Sequence, residues 1–521
     1  MKKITISLIN EIRENLFDLV QQSKRSLSNC NYIDLRVEVN EGQGAAAQNG
    51  MMKFSIRDYS LSYGVRVIGG KDLFAPGYFG QTLGVADTGN IPKIVKQGIS
   101  RAYERAKTNA EFKRLRKNSW GVLGNSLWST ELVKIKVCQD IVPAIYKINP
   151  IDVPLKEISS LVKEISKAVG PSDSRIKMNE ILAETSLTRE LFISSEGANI
   201  DQTFAITLGI CYVLAVGKEA QSHYDCLGHQ RGFEILKEGV NEEFINFKPF
   251  MDFSLDLASD AALLSDAKAC PSLDKQVVVV TDPHYNALKV HEIIGHPTEL
   301  DRVLKMETAY AGRSWFLKNL KENMVGKQVA SPLVTAYSDP LLPGFGHYRY
   351  DHEGTPAKRV IHIDKGIFCG FMNSRQTAEI FGNEPNAHYK STDASLIPLI
   401  RMSNTVFAKG DSDPKQIIKD IEDGYYLVGH RIPSISESRE NFRITARKVF
   451  EIKGGEMGEM FRDGGIMANT KDYLMGVDAV GDDFRVYPIF NCGKGQPMQS
   501  KKLGNGGPTM RSKAKLVGGS R

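Results

Sequence analysis

Residues 291–296 read His-Glu-Ile-Ile-Gly-His and lie in an apolar stretch with helical spacing. In the common zinc-peptidase pattern, two histidines four residues apart project from one helical face, and the Glu between them acts as general base. Here the histidines are five residues apart, so an ideal α-helix would separate their rings by about 140° around its axis. One π-type turn would reduce that angle to about 50°. If His291 and His296 bind one metal, the helix must depart from α-helical geometry within this segment.

The neighbouring residues predict where this helix begins and how it ends. Residues 275–281 form a short β-branched run that is typical of a buried strand. The Asp-Pro pair at 282–283 is a good N-cap and first-turn pair, which predicts a helix that carries the His-Glu segment on its last turns. Gly295 is conformationally permissive and Pro297 disturbs the following turn. The sequence therefore predicts a locally overwound or terminating helix at residues 293–297.

Composition is typical of a soluble globular protein of two or three domains. The chain has 521 residues, of which 25% are charged and 41% hydrophobic, and its formal net charge is +6. Its basic clusters, residues 107–117 and 501–521, lack the interleaved aromatic residues of a single-strand binding surface, so we expect no direct nucleic-acid binding. The sequence contains no GK[ST] phosphate loop, which argues against NTP hydrolysis.

The apolar segments and the cysteines predict a cytoplasmic protein. The apolar start of the chain ends at Glu11 without a small-residue cleavage site, and the uncharged segment 202–217 is too short to span a bilayer. We therefore expect no membrane partner. The seven cysteines are odd in number, are scattered and form no CxxC pair, which excludes a disulfide framework and a structural zinc ribbon.

The order of periodic segments predicts an α+β fold. A mixed α/β region at residues 1–232 precedes a β-rich domain at 233–521, which carries the HExxxH helix. Helices are predicted at 9–24, 91–107, 155–169 and 256–268, and strands at 32–40, 52–58, 63–70, 190–194 and 204–215. Residues 42–47 superficially fit a dinucleotide loop, but no helix follows, so we predict a turn there.

Two histidines leave an open catalytic metal site one protein ligand short. Glu299 is the nearest candidate, but it follows the helix-breaking Pro297. Cys492 is a distant candidate, because its thiolate is followed by glycine and has Lys494 nearby to lower its pKa. The residues alone also allow Cys492 to be an inert loop cysteine.

Several motifs together resemble the TldD/PmbA family of modulator-of-gyrase-type peptidases. They are HEIIGH at 291–296, CGKGQP at 492–497, GVRVIGG at 64–70, SSEGANID at 194–201, DHEGTPAKR at 351–359 and RMSNTVFAKGD at 401–411. The similarity extends over nearly the whole chain in the family's order. It implies that His291, His296 and Cys492 are metal ligands and that Glu292 is the catalytic acid/base. It also implies a dimer, either of two copies or of this chain with a motif-less homologue.

Two segments depart from the family pattern. The acidic DDEG-like turn of the family is Asp351-His352-Glu353-Gly354 here, which leaves the roles of Asp351, His352 and Glu353 open. We expect His352 to be a surface turn residue. Residues 432–440 replace a glycine-rich segment of the family, so substrate preference is expected to differ if that segment shapes the peptide cleft.

These features predict a metallopeptidase that cuts unfolded or short flexible peptides in an enclosed cleft. Zn2+ is the simplest metal, and a His2Cys site also accommodates Fe2+ or Co2+. Glu292 would take a proton from water and pass it to the leaving amine. Three alternatives stay open: a cysteine peptidase that uses Cys492 as nucleophile, a non-catalytic scaffold subunit that binds a peptide or partner, and a structural metal site.

Overall fold

The N-terminal strands build a seven-stranded sheet in the computed structural model, which describes residues 3–116, 129–309 and 313–518. These strands are β1 (Cys30–Gln48), β2 (Met51–Gly69), β3 (Ala75–Leu83), β4 (Gln139–Val142), β5 (Ile176–Ser194), β6 (Asn199–Val216) and β7 (Ala220–His229). The strand order is β3-β2-β1-β5-β6-β4, and β7 also pairs with β6. The sheet is antiparallel except for the β4–β6 pair.

Helices cover one face of this sheet and leave the other face to the C-terminal half. The helices are α1 (Leu8–Ser26), α2 (Ile91–Arg116), α3 (Leu155–Val169), α4 (Glu234–Glu238) and α5 (Phe250–Asp266). The odd-numbered residues of β1, such as Val37 and Ala45, are buried in the cores formed with these helices. Because side chains alternate along a strand, the even-numbered residues, such as Glu38, lie on the opposite face.

The C-terminal half is rich in short strands. An eight-stranded sheet contains β10 (Lys268–Ala269), β11 (Gln276–Thr281), β18 (Asp423–Ile435), β19 (Asn441–Lys453), β20 (Glu456–Arg462), β21 (Gly465–Asn469), β22 (Ala479–Val480) and β25 (Met510–Val517). A six-stranded sheet contains β12 (Ala336–Ser338), β13 (Val360–Asp364), β14 (Ile367–Phe368), β17 (Asn404–Phe407), β23 (Arg485–Lys494) and β24 (Gln499–Gly507). Two small pairs are β8 (Val240–Asn241) with β9 (Asn246–Phe247) and β15 (Tyr389–Lys390) with β16 (Leu399–Ile400).

The helices of this half are short. They are α6 (Pro283–Val290), α7 (Leu300–Val303), α8 (Arg375–Phe381), α9 (Pro414–Lys419) and α10 (Thr470–Met475), with a π-helical turn at His291–Gly295 and 3-10 turns at Val85–Asp87, Gly170–Ser172 and His296–Thr298. The predicted α+β class, mixed at first and β-rich later, is confirmed. Within the described residues, no helix is both long and apolar enough to cross a bilayer.

The turn predicted at residues 42–47 is wrong. These residues belong to β1, where Gly42 pairs with Asp58 of β2 on one side and with Ser186 of β5 on the other. Hydrogen bonding to two neighbouring strands outweighs the weak strand preference of glycine and alanine, because that preference depends strongly on context.

A buried charged network joins the two halves. The Arg66 guanidinium on β2 contacts Asp34 of β1 at 2.6 Å and Glu353 of the DHEG turn at 2.8 Å. The surface position expected for His352 is wrong, because this residue is only 5% exposed. Its Nε2 lies 3.0 Å from Glu190 Oε2, and burial lowers the pKa of His352 to about 3. The DHEG turn therefore docks onto the N-terminal sheet.

We propose that the chain divides into two domains near residue 232. The strands of the seven-stranded sheet end at His229. However, α5 lies beyond that point and packs against the N-terminal sheet, with Phe250 and Leu257 in the same core as Cys211 of β6. Any division there must leave an extensive apolar contact between the two parts.

Candidate metal centre

Local sequence places the His-Glu segment at the end of a capped helix. The Asp282 carboxylate accepts a hydrogen bond of 2.7 Å from the Tyr285 backbone N–H, and Pro283 occupies the first turn. The α-helical part ends at Val290, and a π turn follows in which the His296 N–H donates to the His291 carbonyl. The predicted departure from α-helical geometry is confirmed.

The helix end predicted at residues 293–297 is confirmed, but the alternative of overwinding is wrong for the residues before His296. A π turn holds more residues than an α turn, so the helix is underwound where overwinding was predicted. The chain tightens only afterwards, in the 3-10 turn at His296–Thr298. Thr298 Oγ1 lies 2.8 Å and 2.9 Å from the carbonyl oxygens of Ile294 and Gly295, and its single hydrogen is shared between them. This hydroxyl satisfies acceptors that the irregular helix end would otherwise leave unpaired.

The π turn brings the two imidazoles together. Their ring centroids are 4.6 Å apart and their planes are nearly perpendicular, at 86°. Gly295 is needed within the turn, because a Cβ there would lie 1.9 Å from Met402 Sδ. Met402 is itself buried, so the turn can pack against it only with a residue that lacks a side chain.

Cys492 on β23 meets the two histidines. Its Sγ lies 3.7 Å from His296 Nε2. One ligand atom from each of His291, His296 and Cys492 can be chosen so that all three lie within 4.8 Å of one another. All three residues are buried. The structure thus brings together the three ligands predicted from sequence, although 196 residues separate His296 from Cys492.

Each histidine is oriented through its Nδ1 atom. His291 Nδ1 lies 3.1 Å from Asn505 Oδ1, and His296 Nδ1 lies 3.3 Å from Glu299 Oε2. Because Asn Oδ1 and a carboxylate are acceptors, each ring donates a proton from Nδ1, and its Nε2 can serve as the ligand atom when a metal replaces the proton there. Glu299, considered above as a third ligand, instead holds His296 and also contacts Lys494 at 3.2 Å.

The electrostatics favour a thiolate at Cys492. Burial alone would raise the pKa of this thiol, but the positive charge of His291, His296 and Arg401 lowers it well below its usual value. Burial acts to lower the pKa of His291, and the Cys492 thiolate raises it to about 9. Two imidazoles and a thiolate suit a borderline-soft divalent cation such as Zn2+, which would take the place of the shared proton.

Lys494 does not take the role expected from its position in the CGK motif. Its ammonium donates to Asp301 Oδ1 at 2.6 Å and to the Ile400 carbonyl at 2.7 Å. After His291 and His296, the basic side chain that lowers the Cys492 pKa is Arg401, which donates to the Cys492 carbonyl. Arg401 belongs to the RMSNTVFAKGD motif, which marked the segment without indicating this contact.

Glu292 is held in its ionised form beside the three candidate ligands. Burial would raise the pKa of its carboxyl, but Arg439, His296 and His291 lower it. Arg439 donates from Nη1 to Glu292 Oε2. The Arg439 backbone has a left-handed φ of 65°, and its carbonyl accepts a hydrogen bond of 2.6 Å from Thr470 Oγ1. Sequence analysis missed this arginine, because it lies 147 residues from Glu292 in a segment that stood out only as a departure from the family pattern.

A cavity of about 290 Å³ opens onto the site. Its described lining includes Glu292 and all three candidate ligands, together with residues 488–491 of β23 and residues 430–431 of β18. Cys492 is therefore reached from the same space as the Glu292 carboxylate. A substrate in this cavity would contact both the acid/base group and the cluster.

Comparisons with known proteins relate this chain to metalloproteases. Residues 274–519 match the PmbA/TldA metallopeptidase C-terminal domain. A metalloprotease from Methanothermobacter thermautotrophicus is 31% identical over 378 residues, which cover 71% of this chain and 76% of that protein. A metalloprotease from Methanocaldococcus jannaschii is 27% identical over 499 residues, covering 95% of this chain and 98% of that protein.

Two solved structures share the fold. One, from Thermotoga maritima and described as a modulator of a DNA gyrase, has a TM-score of 0.70 at 15% identity and covers 98% of this chain and 100% of its own. The other, TldE from Thermococcus kodakarensis, has a TM-score of 0.66 at 17% identity and covers 96% of this chain and 99% of its own. The fold and the sequence relatives define the class as PmbA/TldD-type metallopeptidases. The chain belongs to the TldD/PmbA family.

The contact between Glu299 and His296 predicts that Glu299→Gln weakens metal binding without removing it. Loss of a partner that orients a ligating histidine typically reduces metal affinity by about 10–100-fold. Titration of the metal-free protein with Zn2+ against a competing chelator measures this change. Glu322→Gln, which alters an exposed ion pair with Lys318, serves as the control. Unchanged affinity in Glu299→Gln would show that the His296–Glu299 contact does not support the site.

Proposed function

We propose that this chain is a metal-dependent peptidase with a divalent cation held by His291, His296 and Cys492. The observation that carries the proposal is the convergence of these three ligand atoms within 4.8 Å of one another, directly beside Glu292. Zn2+ is the cation that we expect, because three ligands with an open fourth position are typical of catalytic zinc sites. When bound, the cation supplies Lewis acidity, which polarises a carbonyl and acidifies water.

Glu292 is the proposed acid/base group. Its lowered pKa keeps it a carboxylate near neutral pH, so it can accept a proton from the attacking water. It can then deliver that proton to the nitrogen of the departing amine. Arg439 is a positioning residue in this scheme, because its hydrogen bond fixes one carboxylate oxygen and leaves the other free to face the cavity.

We propose that the substrate binds as an extended peptide along β23. This strand is the last of the six-stranded sheet, and no described strand pairs with its outer edge. Residues 488–493 of β23 line the cavity beside Glu292. A peptide could add to that edge through main-chain hydrogen bonds, which would favour unfolded or short flexible segments over folded proteins.

Replacement of Glu292 tests the proposed chemistry. Glu292→Gln should retain one bound metal per chain and lose at least about 100-fold in the rate of peptide hydrolysis, because the amide cannot accept the proton. Glu437→Gln, which changes an exposed carboxylate on the hairpin that carries Arg439, should keep full activity. Release of amines from an unfolded casein substrate and elemental analysis of the same samples provide the measurements. Near-normal turnover in Glu292→Gln would remove this residue from the mechanism.

A cysteine peptidase is the second candidate, because Cys492 combines a lowered pKa with an imidazole at 3.7 Å. Thiol alkylation would inactivate either enzyme, whereas a chelator would inactivate only the metal-dependent one. A scaffold subunit would bind peptides and hydrolyse none, and it has no need of an ionised Glu292. Full activity after complete removal of metal would favour the cysteine mechanism.

We also propose that the chain functions as a dimer, with a second copy or with a motif-less homologue. The residues 51–60 of β2 support this proposal. They pair with β1 on one side, and no described strand pairs with their other edge, because β3 covers only Leu61–Gly69. Met51 and Tyr59 on this edge are 75% and 47% exposed. Open, apolar strand edges are sites of association with another chain.

The unpaired edge of β2 at residues 51–60 predicts that the chain is a dimer in solution. The purified chain should have about twice its monomer mass of 57.8 kDa by light scattering after size-exclusion chromatography, if copies self-associate through strand edges. Tyr59→Lys should shift it towards the monomer, and Leu115→Lys, a change at another exposed apolar residue, should not. A monomer that also fails to associate with a co-expressed homologue would contradict the proposal.

A further inference from the structure

A second and larger cavity lies between the two halves of the molecule. It has a volume of about 620 Å³, within the range of small-molecule sites, and we call it the charged chamber. Its floor is formed mainly by even-numbered residues of β1, β2, β5 and β6, and its roof includes residues 345–348, Lys390 and residues 500–503. None of its described lining residues also lines the cavity at the metal centre.

The floor of the chamber carries a buried carboxyl group without a partner. Glu38 of β1 is only 8% exposed and lines the chamber. Its carboxyl makes no hydrogen bond or ion pair with any residue that the structure describes. Glu190 lies directly opposite on β5, and it is held by His352 and Lys390 at 3.0 Å and 3.2 Å. Like charges opposite each other destabilise a sheet, so Glu190 disfavours the ionised form of Glu38, and a function in binding would explain why an acidic residue stands here.

The roof of the chamber carries a hydrogen-bond donor, Lys501. Lys501 Nζ donates to the Ser391 carbonyl at 2.8 Å, which leaves two of its three hydrogens free. Lys501 and Glu38 are close enough to shift each other's pKa, yet no ion pair joins them. An acceptor and a donor therefore face the chamber with a gap between them. Phe204 and Ile206 on the floor and Phe345 on the roof add apolar surface beside this gap.

We propose that the charged chamber binds an α-ammonium group next to a carbonyl, as found at a peptide N-terminus or in a free amino acid. Glu38 accepts hydrogen bonds from the ammonium, and Lys501 donates to the neighbouring carbonyl or carboxylate oxygen. The apolar lining receives the attached side chain. Such a ligand supplies a cation to the buried carboxyl of the floor that no described residue pairs with, and it fills the gap with matched donors and acceptors.

The state of Glu38 without ligand agrees with this assignment. Burial, together with the negative charge of Glu190 and Asp393, raises the pKa of Glu38 to about 8, against the opposing effect of Lys501 and Lys390. The carboxyl is therefore protonated near neutral pH until a cation arrives. An ammonium ligand would favour the charged form, so binding would release a proton to the solvent.

Calorimetry with short peptides tests the proposal in the full chain that carries Glu292→Gln, which prevents turnover. The probes are tri-alanine, its N-acetyl derivative and free alanine. Tri-alanine should bind at least about tenfold more tightly than the acetylated peptide, because a charge-assisted contact is lost on acetylation. Alanine binding as tightly as tri-alanine would identify free amino acids as the ligand source, and weaker binding would identify peptide termini.

Replacement of Glu38 tests whether the preference for tri-alanine over its N-acetyl derivative arises in the charged chamber. With Glu38→Gln added, tri-alanine and its acetylated form should bind equally, and thermal stability should be retained because a neutral amide replaces a carboxyl that is already protonated near neutral pH. Glu184→Gln, at a half-exposed carboxylate of the same cavity that lies 3.7 Å from Lys502, should keep the preference. Equal binding of the two peptides with Glu38 present, or a preference that persists in Glu38→Gln, would overturn the proposal. Binding here is independent of hydrolysis, so an inactive metal centre would leave this result unchanged.

Discussion

The hydrogen bond from the His296 N–H to the His291 carbonyl is the interaction on which the candidate metal centre depends. This bond spans five residues where an α-helix would span four, and it rotates the second imidazole towards the first. Without it, two histidines at this spacing would point to different sides of the helix. Gly295 allows the turn to pack against Met402, and Thr298 satisfies the carbonyls that the irregular helix end frees.

The surrounding residues turn that local geometry into a charged, buried and oriented site. Asn505 and Glu299 fix the protons of the two imidazoles on Nδ1, so the other ring nitrogens face Cys492. Arg439 makes the corresponding contact with Glu292. The buried carboxylates of Glu292 and Glu299 have partners of opposite sign in Arg439 and Lys494, which is the condition under which such groups can be removed from water. The buried Glu38 carboxyl in the charged chamber has no such partner among the described residues, and we assign it to ligand binding for that reason.

The sequence predicts the candidate metal ligands and the acid/base group, and it misses the residues that hold them in position. The spacing of the HEIIGH motif is enough to require an irregular helix, and the family resemblance points to Cys492. Both predictions rest on residues whose chemistry is visible in a short motif. Arg439 and Asn505 have no such motif, because their roles come from strands that meet the helix only in the folded chain. The buried position of His352 and the strand at residues 42–47 were missed for the same reason: tertiary contacts outweigh local composition.

Elemental analysis of the purified protein beside its His296→Ala and Cys492→Ala variants tests the central claim most directly. If the three residues hold one cation, the unaltered chain contains about one metal per chain and both variants lose it, because two remaining ligands hold a catalytic metal poorly. Circular dichroism of the same samples shows whether the variants remain folded. An unaltered chain that contains no metal and takes up none from Zn2+, Fe2+ or Co2+ would contradict the account.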